Sequence, residues 1–149
     1  MKPTRAKFLK TVLGLMGTPY IWGGRSRAGV DCWGLVAFAL REASGGQLGF
    51  EAWWTDRAWQ ELPPVDSPAP GDLAFYGGKS PVDVEHVMVV IVPPRAAIET
   101  GVCMGAAGGD HTVTTVAEAE AKSACVKPRD SVFYRQDFRG YRSMAQFFS

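Results

Sequence analysis

A glycine-rich loop that runs directly into a helix carrying a cysteine constrains this chain more than any other feature. Residues 17–24 read GTPYIWGG, a run that suits neither a regular helix nor a long strand. From Cys32 onward, apolar residues recur at helical spacing until the glycine pair at 45–46 ends the pattern. Asp31 is a good N-cap residue, so the sequence predicts that Cys32 lies in the first turn of a helix.

The predicted position of Cys32 favours a reactive thiolate. The first turn of a helix presents unpaired backbone N–H groups and the positive end of the helix dipole. Thiol pKa values at such positions fall to between about 3.5 and 7.5. Cys103 and Cys125 lie in apolar stretches instead, where a free cysteine is usually a small core residue. We therefore predict that Cys32 is a nucleophile and that the other two cysteines are packing residues.

A sulfur nucleophile needs a general base, and the chain has 2 histidines. His86 precedes the run VMVVIV, whose β-branched residues on both faces predict a central, buried strand. His111 follows a Gly-Gly-Asp sequence that predicts a turn. A rigid strand positions a general base better than a loop does, so we predict that His86 is the base.

The ordered motifs resemble those of the NlpC-type cell-wall peptidases, small cysteine hydrolases of the papain-like superfamily. The motifs are GTPYIWGG, then DCWGLV at residues 31–36, PGDLAFY at 70–76 and HVMVVI at 86–91. They extend from about the first helix to the strand after His86, and the C-terminal third matches loosely. The resemblance implies a cysteine endopeptidase that cuts amide bonds in peptidoglycan stem peptides by thiolate attack and a thioester intermediate.

Two positions depart from the family pattern. Trp33 stands where the family usually has serine, and a large ring beside the nucleophile is expected to reshape the cleft. In the family, a polar side chain on the strand returning beside the histidine strand orients the histidine. A tight reversal after residue 92 would return residues 97–100 and bring Glu99 beside His86, whereas a longer connection would return residues 102–107 and offer Gly105 or Asp110. We expect Glu99, because a carboxylate accepts the second imidazole N–H and stabilises the imidazolium.

The resemblance also implies substrate-binding residues around the nucleophile. The backbone N–H of Cys32 and the hydroxyl of Tyr20 are expected to stabilise the oxyanion, although Tyr20 also suits a packed core position. Asp31 is expected to contact a substrate amine in addition to capping the helix. Trp33 is expected to form part of the cleft.

Composition sets the outer limits of this interpretation. The chain has 149 residues, of which 46% are hydrophobic and 21% charged, as in a single soluble domain spanning 1–149. Its formal net charge of +1 argues against a nucleic-acid partner. The spacing of its cysteines predicts neither a disulfide framework nor a zinc site, and we expect no metal and no cofactor.

The N-terminal residues predict a helix of the folded domain and not a signal peptide. Residues 1–7 are basic, but Lys10 and Thr11 interrupt the apolar stretch that follows. No segment approaches the ~20 apolar residues that span a membrane, so we expect no membrane insertion. The expected site of synthesis is therefore the cytoplasm, and the site of action is the cell wall or periplasm. The DCWG variant resembles phage-encoded members of the family, which suggests a virion, phage-tail components, or a holin-type or immunity partner for delivery.

The predicted fold class is α+β, a papain-like NlpC-type domain whose N-terminal helices, including the nucleophile helix, pack on a mostly antiparallel sheet. The predicted helices cover residues 4–16, the segment starting at Cys32, 50–62 and 115–123. The predicted strands cover 72–76, 84–92, a return through 96–107, 125–126 and 132–134. Two alternatives to an endopeptidase remain: a structural phage-tail or plug protein with a degenerate triad, and a related Cys-His amidase or acyltransferase.

Overall fold

The computed structural model describes residues 1–50, 53–96 and 99–149. It confirms an α+β fold in which helices pack on an antiparallel sheet. The helices are α1 (Arg5–Gly14), α2 (Cys32–Ala43), α3 (Thr55–Glu61) and α4 (Val116–Ala121), and a 3₁₀ turn covers Ala145–Phe147. The strands are β1 (Arg25–Ser26), β2 (Gly29–Val30), β3 (Pro64–Val65), β4 (Leu73–Tyr76), β5 (His86–Val92), β6 (Val102–Ala107), β7 (Cys125–Arg129) and β8 (Phe138–Arg142).

Six of these strands form one sheet in the order β3-β8-β4-β5-β6-β7. Each strand pair in this sheet is antiparallel. The other two strands, β1 and β2, form a small hairpin between the glycine-rich loop and α2. At its start β5 pairs with β4, where His86 lies opposite Tyr76, and further along it also pairs with β6, from Val89 to Val92.

The main core lies between α2 and the sheet. Leu35, Val36 and Leu40 of α2 have no exposed surface, because the helix packs against α1 on one side and against β5 and β6 on the other. A second, smaller apolar cluster lies apart from this core and consists of Ala74, Tyr76, Met88, Val90, Cys103 and Val132. Since side chains alternate along a strand, Met88 and Val90 join this cluster while Val87 and Val89 join the main core.

Several predicted elements differ from the observed ones. The strand predicted from residue 84 begins at His86, and the strand predicted at 132–134 is a turn. The chain forms β8 instead, six residues later, where β3 and β4 both pair with it. Of the returning strand predicted within residues 96–107, only β6 is observed as a strand, and of the helix predicted at 50–62, only α3 is observed as a helix. Residues 51–52 and 97–98 of these predictions lie outside the described residues.

Across the described ranges, the structure contains no helix with the length and apolar character needed to cross a membrane.

Candidate active site

Asp31 joins the glycine-rich loop to the start of α2, which places Cys32 as the first residue of the helix. Its Oδ1 accepts a hydrogen bond of 2.7 Å from the backbone N–H of Gly34, the N-cap bond that the sequence predicts. Its Oδ2 accepts a bond of 2.8 Å from the N–H of Gly23 in the loop. The capping residue therefore uses both carboxylate oxygens to fix the nucleophile between two segments.

Glycines allow the loop backbone to lie directly against α2. A Cβ atom on Gly34 would lie 1.9 Å from the carbonyl oxygen of Gly24. A Cβ atom on Gly24 would lie 2.5 Å from the carbonyl oxygen of Gly29. Any side chain at these positions would push the loop away from the helix, so the close approach requires glycine.

Cys32 and His86 line the same cleft, which has a volume of about 590 Å³. The Sγ atom of Cys32 lies 3.8 Å from Oγ1 of Thr55 and accepts a hydrogen bond from the backbone N–H of Val87, the residue after His86. The other lining residues are Tyr20, Trp22, Gly23, Arg25, Asp31, Trp33, Trp54, Asp56, Val84, Glu85, Gly109, Asp110, His111 and Arg135. The structure therefore brings the predicted nucleophile and base together.

The predicted low pKa of Cys32 is not what the structure indicates. Burial, followed by the adjacent Asp31 carboxylate, raises the pKa of the Cys32 thiol to about 11. Hydrogen bonds from the N–H groups of Val87 and Trp33 and from Thr55 lower the pKa only in part. The expectation of a resting thiolate is corrected, because desolvation outweighs the start of the helix when the side chain is only 9% exposed.

His86 is buried at the start of β5 and contacts a sulfur atom. Its Nε2 lies 3.1 Å from Sδ of Met88, two residues along the same strand. Burial, followed by the charge of the Arg135 guanidinium, lowers the pKa of His86 to about 3, and Asp137 opposes both effects only in part. The imidazole is therefore neutral over the physiological range.

Glu99 does not lie beside His86. It forms a 3.2 Å ion pair with Arg95 at the far end of the connection between β5 and β6, and its side chain is 54% exposed. The strand that pairs with β5 is β6, so the longer of the two predicted connections is correct. Residues 97 and 98, which the shorter connection used, lie outside the described residues. The expected role of Glu99 is corrected on these grounds.

The two alternatives for the third residue occupy different places. Gly105 of β6 lies against Met88, because a Cβ atom there would be 2.4 Å from the methionine Sδ. Asp110 lines the cleft but is exposed, accepts hydrogen bonds from Thr112 and pairs with Lys122 at 3.6 Å. Neither position supplies a polar side chain with a hydrogen bond to His86 in the described part of the chain.

The predicted substrate-binding residues all line the cleft. Tyr20 is 4% exposed, and burial together with the nearby Asp31 carboxylate holds the pKa of its hydroxyl above its usual range. Trp33 is 3% exposed, and its ring packs against Phe50 with 4.9 Å between centroids. Trp33 therefore belongs to the core beneath the cleft more than to its surface.

Sequence reasoning missed two cleft residues whose positions depend on long-range packing. Thr55, the first residue of α3, contacts the Cys32 sulfur. Arg135 lines the cleft with His86 and lowers its pKa through its charge. It donates a 2.6 Å hydrogen bond to Asp137 and pairs with Glu85 at 3.5 Å. The segment before β8 carries Arg135 to the cleft, and no local motif marks it.

Metal-ligand chemistry has no obvious site in the ranges that the structure describes. Among those residues, no group of three or more His, Cys, Asp or Glu side chains is arranged to hold a metal ion.

Comparison with known proteins identifies the family. The family model for NlpC/P60 matches residues 17–136, which include the loop, Cys32 and His86. The chain belongs to the NlpC/P60 family. The crystal structure of the NlpC/p60 domain of the peptidoglycan hydrolase SagA aligns over 95% of this chain and 99% of that chain, at 23% identity and a TM-score of 0.65. NlpC1 from Trichomonas vaginalis aligns over 91% of this chain and 42% of its own, at 18% identity and a TM-score of 0.64.

Curated relatives match about half of the chain. The probable peptidoglycan endopeptidase LytE of Bacillus subtilis is 31% identical over 72 residues, which are 48% of this chain and 20% of LytE. The probable endopeptidase NlpC of Escherichia coli is 37% identical over 71 residues, which are 48% of this chain and 46% of that protein. The chain thus spans less than half the length of both relatives.

Proposed function

We propose that this protein is a peptidoglycan hydrolase, a cysteine endopeptidase that cuts amide bonds in cell-wall stem peptides. The observation that carries the proposal is the shared cleft of Cys32 and His86 in an NlpC/P60 domain. Relatives named as endopeptidases match about half of the chain and support the same activity.

The proposed reaction begins from a neutral thiol and a neutral imidazole. As the Cys32 sulfur attacks the peptide carbonyl carbon, its proton passes to Nδ1 of His86, because Nε2 faces Met88. The protonated imidazole then gives this proton to the leaving amine as the C–N bond breaks, and a thioester remains. Water attacks the thioester, His86 takes the water proton, and the thiol is restored when the acid product leaves.

The oxyanion and the substrate are held by the remaining cleft residues. The backbone N–H of Cys32 and the hydroxyl of Tyr20 are the proposed donors to the oxyanion. Tyr20 suits this role because it lines the cleft together with Cys32. Asp31 places a negative charge at the cleft, where a substrate amine can approach, while Trp33 supports the cleft from below.

Two observations favour the second candidate, a structural protein that keeps the fold with a weakened triad. Burial raises the pKa of Cys32, and Gly105 of β6 lies against Met88 and offers no polar side chain to orient His86. A phage tail or plug is the kind of assembly that this alternative predicts, and delivery by tail, holin-type or immunity partners stays a prediction. An amidase or acyltransferase would use the same Cys32–His86 pair and would differ only in its products.

Digestion of purified sacculi tests these candidates. The wild-type protein should release stem-peptide fragments identifiable by mass spectrometry, and Cys32→Ala should release none while keeping the wild-type melting temperature. Cys103→Ala is the matched control, because Cys103 is a buried cysteine outside the cleft, and it should keep activity. Chelator should leave activity intact and iodoacetamide should abolish it. Equal fragment release by wild type and Cys32→Ala would contradict the proposal, and no release by wild type would favour the structural candidate.

A further inference from the structure

We infer that the Met88 thioether is the hydrogen-bond partner of the His86 imidazole and sets its tautomer, in the place where related enzymes are expected to use a polar side chain. Met88 would be a positioning residue, acting on the substrate only through His86. The inference deepens the proposed function and rests on it for its catalytic consequence, but the tautomer itself can be measured without substrate.

The contact between the two side chains leaves one consistent tautomer. Sδ of Met88 lies 3.1 Å from Nε2 of His86, and Met88 has no exposed surface. A thioether sulfur can accept a hydrogen bond but has no proton to donate. An unprotonated Nε2 would place two lone pairs against each other at this distance. Nε2 therefore carries the proton, and Nδ1 is the nitrogen that can accept the proton of Cys32.

Gly105 on the neighbouring strand makes room for this arrangement. A Cβ atom there would lie 2.4 Å from Sδ of Met88, closer than van der Waals contact allows. The Gly105 backbone is ordinary strand and does not have the positive φ that requires glycine at other positions. Space for the methionine, and not backbone conformation, thus accounts for the glycine. Met88 and Gly105 form a complementary large–small pair across β5 and β6.

The thioether differs from a polar partner in what it does to the charge on His86. Two guanidinium groups, Arg135 and Arg129, act against an imidazolium, and Asp137 favours it. The Tyr76 ring lies beside the imidazole at 5.8 Å between centroids. A neutral sulfur orients the neutral ring but adds little stabilisation to the charged form. The arrangement therefore sets orientation and tautomer and leaves His86 weakly basic.

Nitrogen-15 NMR of the labelled histidines tests the tautomer directly. The chain has 2 histidines, so in the His111→Gln variant all histidine signals come from His86. We expect the wild-type pattern of a protonated Nε2 and an unprotonated Nδ1, and a mixture of tautomers in Met88→Leu, which keeps the volume and removes the acceptor. Met104→Leu is the matched control, since Met104 is a buried methionine of the main core, outside the cleft and away from His86. It should keep the wild-type pattern.

Kinetics on muropeptides then measures the catalytic consequence. Met88→Leu should lower kcat on the order of tenfold with KM unchanged, the lower end of the loss seen when the hydrogen-bond partner of a metal-binding histidine is removed, while Met104→Leu should not. The double variant Met88→Ala/Gly105→Asn offers an amide oxygen in the vacated space. It should restore the Nε2–H tautomer and much of kcat, and should move the acid limb of the pH–rate profile to higher pH, because an amide oxygen stabilises the imidazolium better.

The NMR spectra test the tautomer of His86, and the kinetics test its consequence for hydrolysis. An unchanged tautomer in Met88→Leu would overturn the role of Met88 whatever the activity. If Met88→Leu does not fold, the double variant decides, and a tautomer mixture there would overturn the complementary-pair argument. Absence of hydrolysis by the wild-type protein would overturn the proposed function, while the NMR result would still decide the imidazole assignment.

Discussion

Cys32 is a residue on which two local effects of opposite sign act together. The start of α2 favours a thiolate by roughly 0.3–1 kcal/mol, the usual size of a helix-dipole effect. Burial and the Asp31 carboxylate act against it, and the pKa of the thiol rises to about 11. Burial prevails because a nearly covered sulfur loses the water that would stabilise its charge. The proton must therefore leave as the sulfur attacks, which makes the orientation of His86 decisive.

The raised pKa of the Cys32 thiol determines how its alkylation depends on pH. A raised pKa means that the thiolate fraction is small at neutral pH and grows as the pH approaches 11. In a Cys103→Ala/Cys125→Ala background, the rate of reaction with iodoacetamide should rise continuously from pH 7 to pH 10. A rate that has already levelled off by pH 7 would instead indicate a resting thiolate paired with a protonated His86.

Some residues of the site are positioned by local sequence signals, and others are positioned by the pairing of strands distant in sequence. Cys32 and His86 could be predicted because an N-cap, a glycine loop and a β-branched run are local signals. The partner of His86 could not, because it depends on the pairing of β5 with β6, and one residue of register exchanges the two faces of a strand. The expectation of Glu99 rests on the chemistry of its carboxylate, and the sequence does not give the turn length that would test it. The observed register brings Gly105 to Met88 and leaves Glu99 paired with Arg95.

Among the strands, those with a local hydrophobic pattern can be predicted from the sequence, and those that form through pairing with distant strands cannot. β5 carries its own hydrophobic signal, and its observed span differs from the predicted one by two residues at its start. β8 has only partly buried residues and the sequence FRGYR, which contains a glycine and two arginines. It forms a strand because β3 and β4 both pair with it, and no local pattern reports such a pairing.

The loop before His86 is fixed by contacts from two elements. Arg139 of β8 donates hydrogen bonds to the carbonyl oxygens of Gly77, Ser80 and Asp83, at 2.6, 2.9 and 2.9 Å. From α3, the indole N–H of Trp59 donates to the Pro81 carbonyl at 2.9 Å. Since this loop leads directly into β5, its order helps to fix the start of the strand on which the base lies.

Arg139→Lys should loosen this loop more than the rest of the fold. A lysine ammonium cannot reproduce the planar set of guanidinium N–H groups that donate to three carbonyl oxygens. We expect faster amide hydrogen exchange in residues 79–85 and a several-fold loss of kcat/KM. Arg95→Lys, at an exposed arginine of the β5–β6 connection, is the control and should match the wild type. Unchanged exchange in Arg139→Lys would show that α3 alone holds the loop.

At the scale of the whole molecule, one buried carboxylate connects both ends of the chain to the sheet. Asp72 is 3% exposed and accepts hydrogen bonds from Arg5 of α1 at 3.3 Å and from the N–H of Met144 at 2.8 Å. It also accepts a 2.8 Å bond from the N–H of Ala69, in the turn before β4. Three segments distant in sequence therefore meet at a single side chain.

Asp72→Ala should destabilise the protein by about 3 kcal/mol, the usual cost of leaving buried polar groups without their partner. Thermal unfolding followed by circular dichroism measures the effect. Asp66→Ala, at an exposed position in the same proline-rich segment, should change the free energy of unfolding by less than about 0.5 kcal/mol. Equal melting temperatures for the two variants would show that the ends of the chain are held by apolar packing alone.

The direct contact between the Gly24 carbonyl and Gly34 has a consequence for how such a protein can diverge. Main-chain atoms, together with the Asp31 carboxylate, hold the loop against the start of α2, so the position of the sulfur does not depend on the exposed side chains of the loop. Mutational drift is therefore tolerated at exposed loop positions and blocked at Gly24 and Gly34, where any β-carbon would separate the two segments. A deep mutational scan of stability should show Gly24 and Gly34 to be as intolerant as the buried residues of α2.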